Sequence, residues 1–209
     1  MSQEIKLTIP IDSEQIRALK VGDRILLSGV IVTARDAAHK WMVEKYIRNT
    51  NTKNVDEESE YAEIKKYLMN SAIYHCGPIV NQDAGGVYKF ISAGPTTSIR
   101  EELYQAEIIE HFNLRGVIGK GGMGEGTLKA CQEFGAVYFH GIGGLGAYYA
   151  SCVKKVLHVF KLDFGIPEAM WVVEVDNMPL LVTMDSHGQS LHQQIYNKSV
   201  RRLGNLIKT

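Results

Sequence analysis

The sequence predicts an α/β fold in which helices surround a mixed β-sheet. Three observations support this prediction. The stretch Arg24–Thr33 (RILLSGVIVT) is β-branched and apolar, which is typical of a buried strand. Between residues 116 and 153, short apolar strands alternate with helices, as they do around parallel sheets. A DAGG turn at 83–86 between two apolar runs indicates an antiparallel hairpin. Because no Pro/Gly/Ser-rich linker divides the chain, we expect one domain over residues 1–209.

Hydrophobic spacing and turn residues predict the other elements in chain order. The helix after residue 98 carries a capping-box pattern, since Ser98 is followed three residues later by Glu101. The expected elements are a helix at 36–48, a polar loop at 50–60, helices at 61–69 and 98–112, strands at 116–118 and 136–139 that are each followed by a helix, strands at 171–175 and 180–184, and a polar helix from 189.

Composition and charge exclude several classes of protein. The 209 residues include 23 Lys plus Arg and 23 Asp plus Glu. The chain therefore lacks the excess of positive charge that is typical of nucleic-acid-binding proteins. The first ten residues, MSQEIKLTIP, contain charges and no apolar run, so we expect no secretory signal. The uncharged stretch 136–153 approaches the length of a membrane span, but its four glycines favour a strand, a loop and a helix instead.

The cysteine pattern indicates a reduced, cytoplasmic protein. Cys76, Cys131 and Cys152 form no CxxC pair, and their odd number does not suggest a disulfide framework. We expect three buried thiols. Iron–sulfur clusters are usually held by several cysteine thiolates, so this chain alone does not look able to bind one.

Two glycine-rich loops each precede a predicted helix. GVIGKGGMGEGTLKA (116–130) contains Gly119, Gly121 and Gly124 in GxGxxG spacing, with Lys120 among them. Glycines let the backbone approach an anion, and the free N–H groups of the following helix attract it. GIGGLG (141–146) also fits a dinucleotide fingerprint if Asp163 supplies the ribose-binding acid. The bound anion could therefore be a carboxylate, a phosphate or a dinucleotide.

Two further strand-to-helix turns carry cations. AGPTTSIR (93–100) places Thr96, Thr97 and Arg100 at the start of a helix, and TARDAAHK (33–40) places Arg35 directly after a strand. Ligands gather at the carboxyl ends of strands in α/β sheets, and arginine suits bidentate carboxylate binding. Together with Lys120, these turns favour a site for a small dicarboxylate.

In this order, TARDAAHK, HCGPIV, AGPTTSIR, GKGGMG, GIPEAMW and TMDSHG resemble the β subunit of two-subunit class I fumarases. The related β subunit of L(+)-tartrate dehydratase shares most of the pattern. The resemblance covers nearly the whole chain. It implies a swivelling β/β/α fold and reversible hydration of fumarate to S-malate. It also implies a 4Fe-4S cluster whose cysteines belong to a separate α subunit, so that this chain binds no metal.

The resemblance also implies roles for single residues. Thr96 would act as the catalytic base. We expect Asp36 to position Arg35, and His187 either to organise the site or to stabilise a turn. The implied substrate-binding residues are Arg35, Thr96, Thr97, Arg100 and Lys120, and the supporting residues are Asp36, Gly121, Gly122 and His187.

The expected partners are the α subunit, a small dicarboxylate and a second β subunit within a larger heteromer, with no nucleic acid and no membrane. Two alternatives stay open at this point. The first is tartrate dehydration by the same machinery, and the second is a stand-alone dinucleotide or small-anion binding module.

Overall fold

The computed structural model of the chain describes residues 4–49 and 55–207. Its strands are β1 (Ile5–Thr8), β2 (Arg24–Thr33), β3 (Ala72–Tyr74), β4 (Ile79–Gln82), β5 (Tyr88–Ser92), β6 (Gly116–Gly119), β7 (Val137–His140), β8 (Val153–Phe160) and β9 (Met170–Met184). Its helices are α1 (Ser13–Ala18), α2 (Asp36–Met42), α3 (Val55–Leu68), α4 (Glu102–Phe112), α5 (Glu125–Phe134), α6 (Gly146–Cys152) and α7 (Leu191–Ile207). The predicted α/β class with a mixed sheet is confirmed.

The main sheet has the strand order β1-β2-β3-β6-β7-β9-β8. Its first five strands are parallel, whereas β9 runs antiparallel to β7 and to β8. β9 also pairs along β2, so β2, β3, β6, β7 and β9 close into a ring. The hairpin of β4 and β5 forms a separate two-stranded sheet, as its turn predicted.

Alternate residues of the central strands face two separate cores. Ile73 and Val117 pack in one core with the helices, whereas their neighbours Tyr74 and Ile118 pack in the other. The second core also contains Trp171, which is fully buried. This two-sided burial explains why the strands read as continuous apolar runs rather than as alternating patterns.

Some predicted elements have different bounds in the structure. Residues 50–54 of the predicted polar loop lie outside the described residues, and α3 already begins at Val55, so the loop prediction is wrong for 55–60. Acidic residues in the first turn of α3 and lysines in its last turn complement the helix dipole, which explains its earlier start. The two strands predicted at 171–175 and 180–184 are parts of the single strand β9.

Two features bear on the predicted membrane behaviour and on the last helix. No helix in the described ranges is both long and apolar enough to cross a bilayer. The stretch 136–153 forms β7, a glycine loop and α6, as predicted. α7 is a helix as expected, but it is amphipathic rather than polar, because it exposes an apolar row that includes Tyr196, Val200 and Leu203.

Candidate active site

The sheet order brings the predicted cationic turns to one edge. β2, β3, β6 and β7 are parallel neighbours, so their carboxyl ends lie side by side. Arg35 follows β2, His75 follows β3, Lys120 follows β6, and the glycine loop 141–146 follows β7. The methylene chain of Lys120 lies near Gly143, since a Cβ added there would be 3.6 Å from Lys120 Cδ. Only β3 separates the strands that carry Arg35 and Lys120.

The threonine loop is fixed between these strand ends by backbone hydrogen bonds. Thr96 N donates to His75 O over 2.7 Å, and Lys120 N donates to Thr96 O over 3.0 Å. Ser98 N donates to Lys120 O over 3.0 Å, and Thr97 forms a bridge with Lys120. The main chain thus holds the threonine loop and Lys120 together. These hydrogen bonds do not use the side chains of Thr96, Thr97 and Lys120.

The Thr96 hydroxyl is a buried polar group without a hydrogen-bond partner in the structure. An unpaired buried hydroxyl costs roughly 1–3 kcal/mol, so such groups are uncommon. Its backbone hydrogen bonds place Thr96 between His75 and Lys120, and Lys120 is one of the predicted cations. The arrangement suits a hydroxyl that takes its partner from a bound ligand.

Arg35 is held by an acid that the sequence analysis missed. Its Nη2 lies 3.3 Å from Glu168 Oε1, and its buried Nε has no partner. The guanidinium also lies against Gly77, where an added Cβ would be 2.3 Å from Nη1. Glu168 belongs to the GIPEAMW stretch, more than a hundred residues from Arg35, so no local pattern indicates the contact. The expectation that Asp36 positions Arg35 is wrong.

Asp36 pairs with the second arginine instead. Its Oδ2 lies 3.2 Å from Arg100 Nη2, with both side chains about half exposed. An exposed pair of this kind adds little stability, roughly 0–1 kcal/mol. The pair does orient the Arg100 side chain, because it ties this side chain to Asp36. Asp36 is the first residue of α2 and directly follows Arg35. Arg35 and the side-chain end of Arg100 therefore both lie at the start of α2.

Carboxylates within the chain occupy the N-termini of α5 and α2, the two helices that follow Lys120 and Arg35. Glu102 accepts hydrogen bonds from Gly124 N at 2.8 Å and from Thr127 N at 3.2 Å, so it covers the start of α5. Glu168 likewise accepts from Ala37 N of α2 at 3.2 Å. The prediction that the first turn of α5 offers free N–H groups to the ligand is wrong at these positions. The positive charge of Lys120 remains available to an anion.

The expected capping box is also wrong, because both of its residues turn inward. The first turn, Ser98–Glu101, is 3₁₀-helical, and its N-cap Thr97 makes no side-chain cap bond. Ser98 Oγ lies 2.8 Å from His75 Nδ1 and accepts from Tyr138 at 2.8 Å. A side chain at Gly119 would not fit beside this group, since its Cβ would lie 1.9 Å from Ser98 Oγ.

Two buried histidines share one glutamine behind the site. Gln105 Oε1 lies 2.9 Å from His75 Nε2 and 3.1 Å from His39 Nε2, and His39 Nδ1 lies 2.9 Å from Arg35 O. Burial lowers the pKa of both rings, that of His75 furthest. Neutral rings satisfy these contacts when each Nδ1 donates and the Gln105 amide is turned so that its nitrogen faces both Nε2 atoms. The network then links the backbone of Arg35 to the turn that carries Arg100.

The other predicted supporting residues divide into two groups. Gly121 and Gly122 have φ of 85° and 79°, as their loop requires, and Gly122 packs closely on His192 of α7. His187 lies apart from the cations, because its Nε2 contacts Arg17 O at 2.9 Å, in the segment before β2 begins. The role of His187 as a site residue is therefore wrong, and the alternative that it stabilises a turn fits the structure.

The topology contradicts the alternative prediction that the GIGGLG loop (141–146) binds a dinucleotide. After the short helix α6, the chain enters β8, which is an edge strand antiparallel to β9. Asp163 lies beyond β8 in an exposed 3₁₀ turn. A dinucleotide fingerprint requires a parallel βαβ unit with the acid at the end of its second strand. This geometry is absent around 141–163.

The described residues also offer no site for a metal or a cluster. None of their His, Cys, Asp and Glu side chains gather in groups of three or more with suitable geometry. Cys76, Cys131 and Cys152 are free and buried, as expected. Burial raises the pKa of the Cys76 and Cys131 thiols to about 12, and these thiols are poor thiolate ligands. A cluster therefore does not fit the donors among residues 4–49 and 55–207.

A cavity of about 580 Å³ lies elsewhere on the molecule, between the hairpin and the α6–β8 segment. Its lining includes Tyr88, Lys154 and Lys155 but none of the cationic turns. The volume of a cavity alone therefore does not identify the candidate active site. The cations and the unpaired threonine hydroxyl indicate it.

The fold and the site together define a class: an α/β domain with cationic side chains at the carboxyl ends of its parallel strands. Comparison with known proteins identifies the family. Residues 1–195 match the model of the fumarase C-terminus family, described as "Fumarase C-terminus". The chain belongs to this family.

Named relatives agree with this membership. A putative class I fumarate hydratase of Geobacillus stearothermophilus is 47% identical over 199 residues, which are 95% of this chain and 35% of that protein. A putative L(+)-tartrate dehydratase subunit beta of Methanocaldococcus jannaschii is 38% identical over 93% of this chain and 94% of its own length. The L(+)-tartrate dehydratase subunit beta of Escherichia coli K12 is 36% identical, over 88% and 85% respectively. This chain thus spans about a third of the fumarate hydratase and most of either beta subunit.

Proposed function

We propose that this chain is the β subunit of an iron–sulfur hydro-lyase, and that it supplies the dicarboxylate-binding half of a site that hydrates fumarate reversibly to S-malate. The observation that carries the proposal is that Arg35 and Lys120 follow strands whose carboxyl ends share one edge of the sheet, with Arg100 paired to Asp36 beside Arg35 and the unpaired Thr96 hydroxyl on the loop bonded to Lys120. Family membership and the similarity to a putative fumarate hydratase support the same reaction class.

The proposed mechanism uses charge that develops during the reaction. When the C3 proton of malate leaves, its electron pair moves onto the neighbouring carboxylate, which becomes more negative. Cations fixed at that carboxylate stabilise the transition state more than the ground state. Arg35, Arg100 and Lys120 would bind the two carboxylates, with Thr97 as a further hydroxyl donor. Thr96 would first lose its own hydroxyl proton to solvent, the nearby cations favouring the alkoxide, and would then take the C3 proton and return to the neutral hydroxyl. The hydroxyl at C2 would leave as the double bond between C2 and C3 forms.

We place the 4Fe-4S cluster on a partner α subunit, because the donors described in this chain do not fit it. The names of the beta-subunit relatives support a partner of this kind. The free, buried thiols suit the reducing cytoplasm. We also propose that the complete enzyme is a larger heteromer that contains a second copy of this chain.

The proposed partner interface surrounds the cations. Ile99 and Leu103 flank Arg100 and are 53% and 75% exposed, and Ile142 on the loop beside Lys120 is 59% exposed. We name these three residues the apolar rim. Exposed apolar groups around a polar site are typical of interaction surfaces. A subunit that covers the apolar rim would also exclude water from the cations.

We expect Leu103→Asp and Ile142→Asp each to raise the dissociation constant for the α subunit at least about tenfold, since a buried charge at an interface costs more than about 1.4 kcal/mol. Isothermal titration calorimetry with the purified α subunit measures this constant. Leu157→Asp is the matched control, because Leu157 is 39% exposed and lies on the edge strand β8 rather than on the segments that carry the apolar rim. Equal weakening by all three variants would contradict the assigned interface.

A second candidate is dehydration of L(+)-tartrate, favoured by the two beta-subunit relatives that this chain matches over most of their length. Tartrate carries one more hydroxyl than malate, and sites that hydrogen-bond a hydroxyl discriminate strongly against analogues without it. The test is an anaerobic assay of the α–β complex with both substrates. We expect a kcat/KM for fumarate at least about a hundredfold above that for tartrate. The reverse order would support the second candidate, and inactivity with both would overturn the hydro-lyase proposal.

A further inference from the structure

Glu101 is a buried acid whose role the proposed mechanism does not include. Its side chain is 0% exposed, and no donor group among the described residues gives a hydrogen bond to either carboxyl oxygen. The nearest basic group is His75, whose Nδ1 lies 4.0 Å away and is already engaged with Ser98. A charged carboxylate in this position would be buried without compensation, which is among the costliest arrangements in a protein.

The surroundings of Glu101 favour the neutral acid. Burial is the largest cause that raises its pKa to about 8, and the charge of Asp36 is the next. His75 gives no compensating charge, because burial lowers its pKa well below the usual value. The titratable and charged groups that face Glu101 are Asp36 from α2, Arg100 from its own turn, His75 from the end of β3 and Tyr138 from β7, with His39 stacked edge-on behind His75.

The protonated form of Glu101 can serve as a hydrogen-bond donor to Asp36. Besides burial, the charge of Asp36 and a side-chain hydrogen bond with Asp36 both raise the pKa of Glu101, and such a bond forms only when one of the two carboxyls carries a proton, because two ionised carboxylates are both acceptors. A proton on Glu101 turns this contact into a hydrogen bond. The same Asp36 carboxylate binds Arg100 over 3.2 Å. The three side chains then form a chain from the buried acid to the cation.

We propose that Glu101 is a positioning residue, which stays protonated and donates a hydrogen bond to Asp36 so that Arg100 is held ready for the substrate. The inference rests on the proposed role of Arg100 in dicarboxylate binding. Loss of the proton places two negative carboxylates in contact, so Asp36 must move and Arg100 loses its fixed direction. Affinity for the dicarboxylate is therefore coupled to the protonation of a group that does not touch it.

The test compares the pH dependence of KM in the assembled enzyme. With one titrating group near pH 8, KM of the wild type for fumarate rises about tenfold between pH 7 and pH 9 while kcat changes less. Glu101→Gln keeps a hydrogen-bond donor but cannot ionise, so its KM stays within about twofold of the pH 7 value across this range. Glu101→Ala lacks the donor and has a raised KM at both pH values. Glu110→Gln, on the exposed face of α4, follows the wild type.

A second measurement is independent of catalysis. In ¹³C NMR spectra of the full chain, one glutamate carboxyl titrates near pH 8 in the wild type and is missing in Glu101→Gln. If this resonance titrates near pH 4 to 5, or if the KM of Glu101→Gln rises with pH as in the wild type, the proposal is overturned. An enzyme that is inactive with fumarate and tartrate would overturn the proposed function, and the NMR titration would then decide on Glu101 alone.

Discussion

Replacing Lys120 with alanine is expected to lower kcat/KM for fumarate at least about a hundredfold in the α–β complex. Removing one preorganised donor to a developing negative charge costs about 2.7–4 kcal/mol in comparable sites, and 1.36 kcal/mol corresponds to tenfold. Lys120 is suited to this role because its backbone hydrogen bonds to the threonine loop do not involve its ammonium group. The loop should therefore keep its shape in the alanine variant.

Steady-state kinetics of matched variants would check this expectation. Lys129→Ala removes an exposed lysine from the neighbouring helix α5 and should leave kcat/KM unchanged. Lys120→Arg keeps the charge with a different shape and should recover part of the activity. Size-exclusion chromatography must show the same assembly for all variants. Wild-type kinetics for Lys120→Ala in an intact complex would remove Lys120 from the site.

Thr96→Val is expected to lower kcat by about a hundred- to ten-thousandfold, the range that a positioned general base contributes. Valine nearly matches threonine in shape but lacks the hydroxyl, so the variant isolates the chemical role. The buried and unpaired state of the Thr96 hydroxyl makes the substitution tolerable to the fold, since no internal hydrogen bond is lost. Stability measured by thermal unfolding should fall by less than about 1 kcal/mol.

The effect on each kinetic constant separates proton transfer from binding. If Thr96 takes the C3 proton, Thr96→Ser retains measurable turnover and shows a larger isotope effect with malate deuterated at C3. If Thr96 only binds substrate, Thr96→Val raises KM and leaves kcat close to the wild-type value. The second result would leave Thr96 as a ligand of the substrate and would require another base.

The main features of the fold could be predicted from local patterns. The limits of β2 and of the β4–β5 hairpin follow from β-branched runs and a glycine turn, which act over a few residues. The convergence of Arg35 and Lys120 followed from a general rule about strand ends, because both residues stand directly after parallel strands. The rule places both residues at the same edge of the sheet, whereas their separation by only one strand depends on the strand order.

The partners of the site residues could not be predicted in this way. Glu168 binds Arg35 from more than a hundred residues away, and Glu102 covers the start of α5 through a contact between two helices. Glu101 was assigned to a capping box because its spacing from Ser98 is right for one. Tertiary packing on His75 turned both residues inward. Local spacing therefore identified the charged groups at the mouth of the site but not the groups that orient them.

The central claim is that Arg35, Arg100 and Lys120 bind one dicarboxylate together with Thr96. A crystal structure of the α–β complex with S-malate tests it most directly. We predict that the carboxylates of a single malate accept hydrogen bonds from these three cations, with the Thr96 hydroxyl adjacent to C3. A malate bound with no contact to any of the three side chains, or with the cations divided between separate ligands, would contradict the claim.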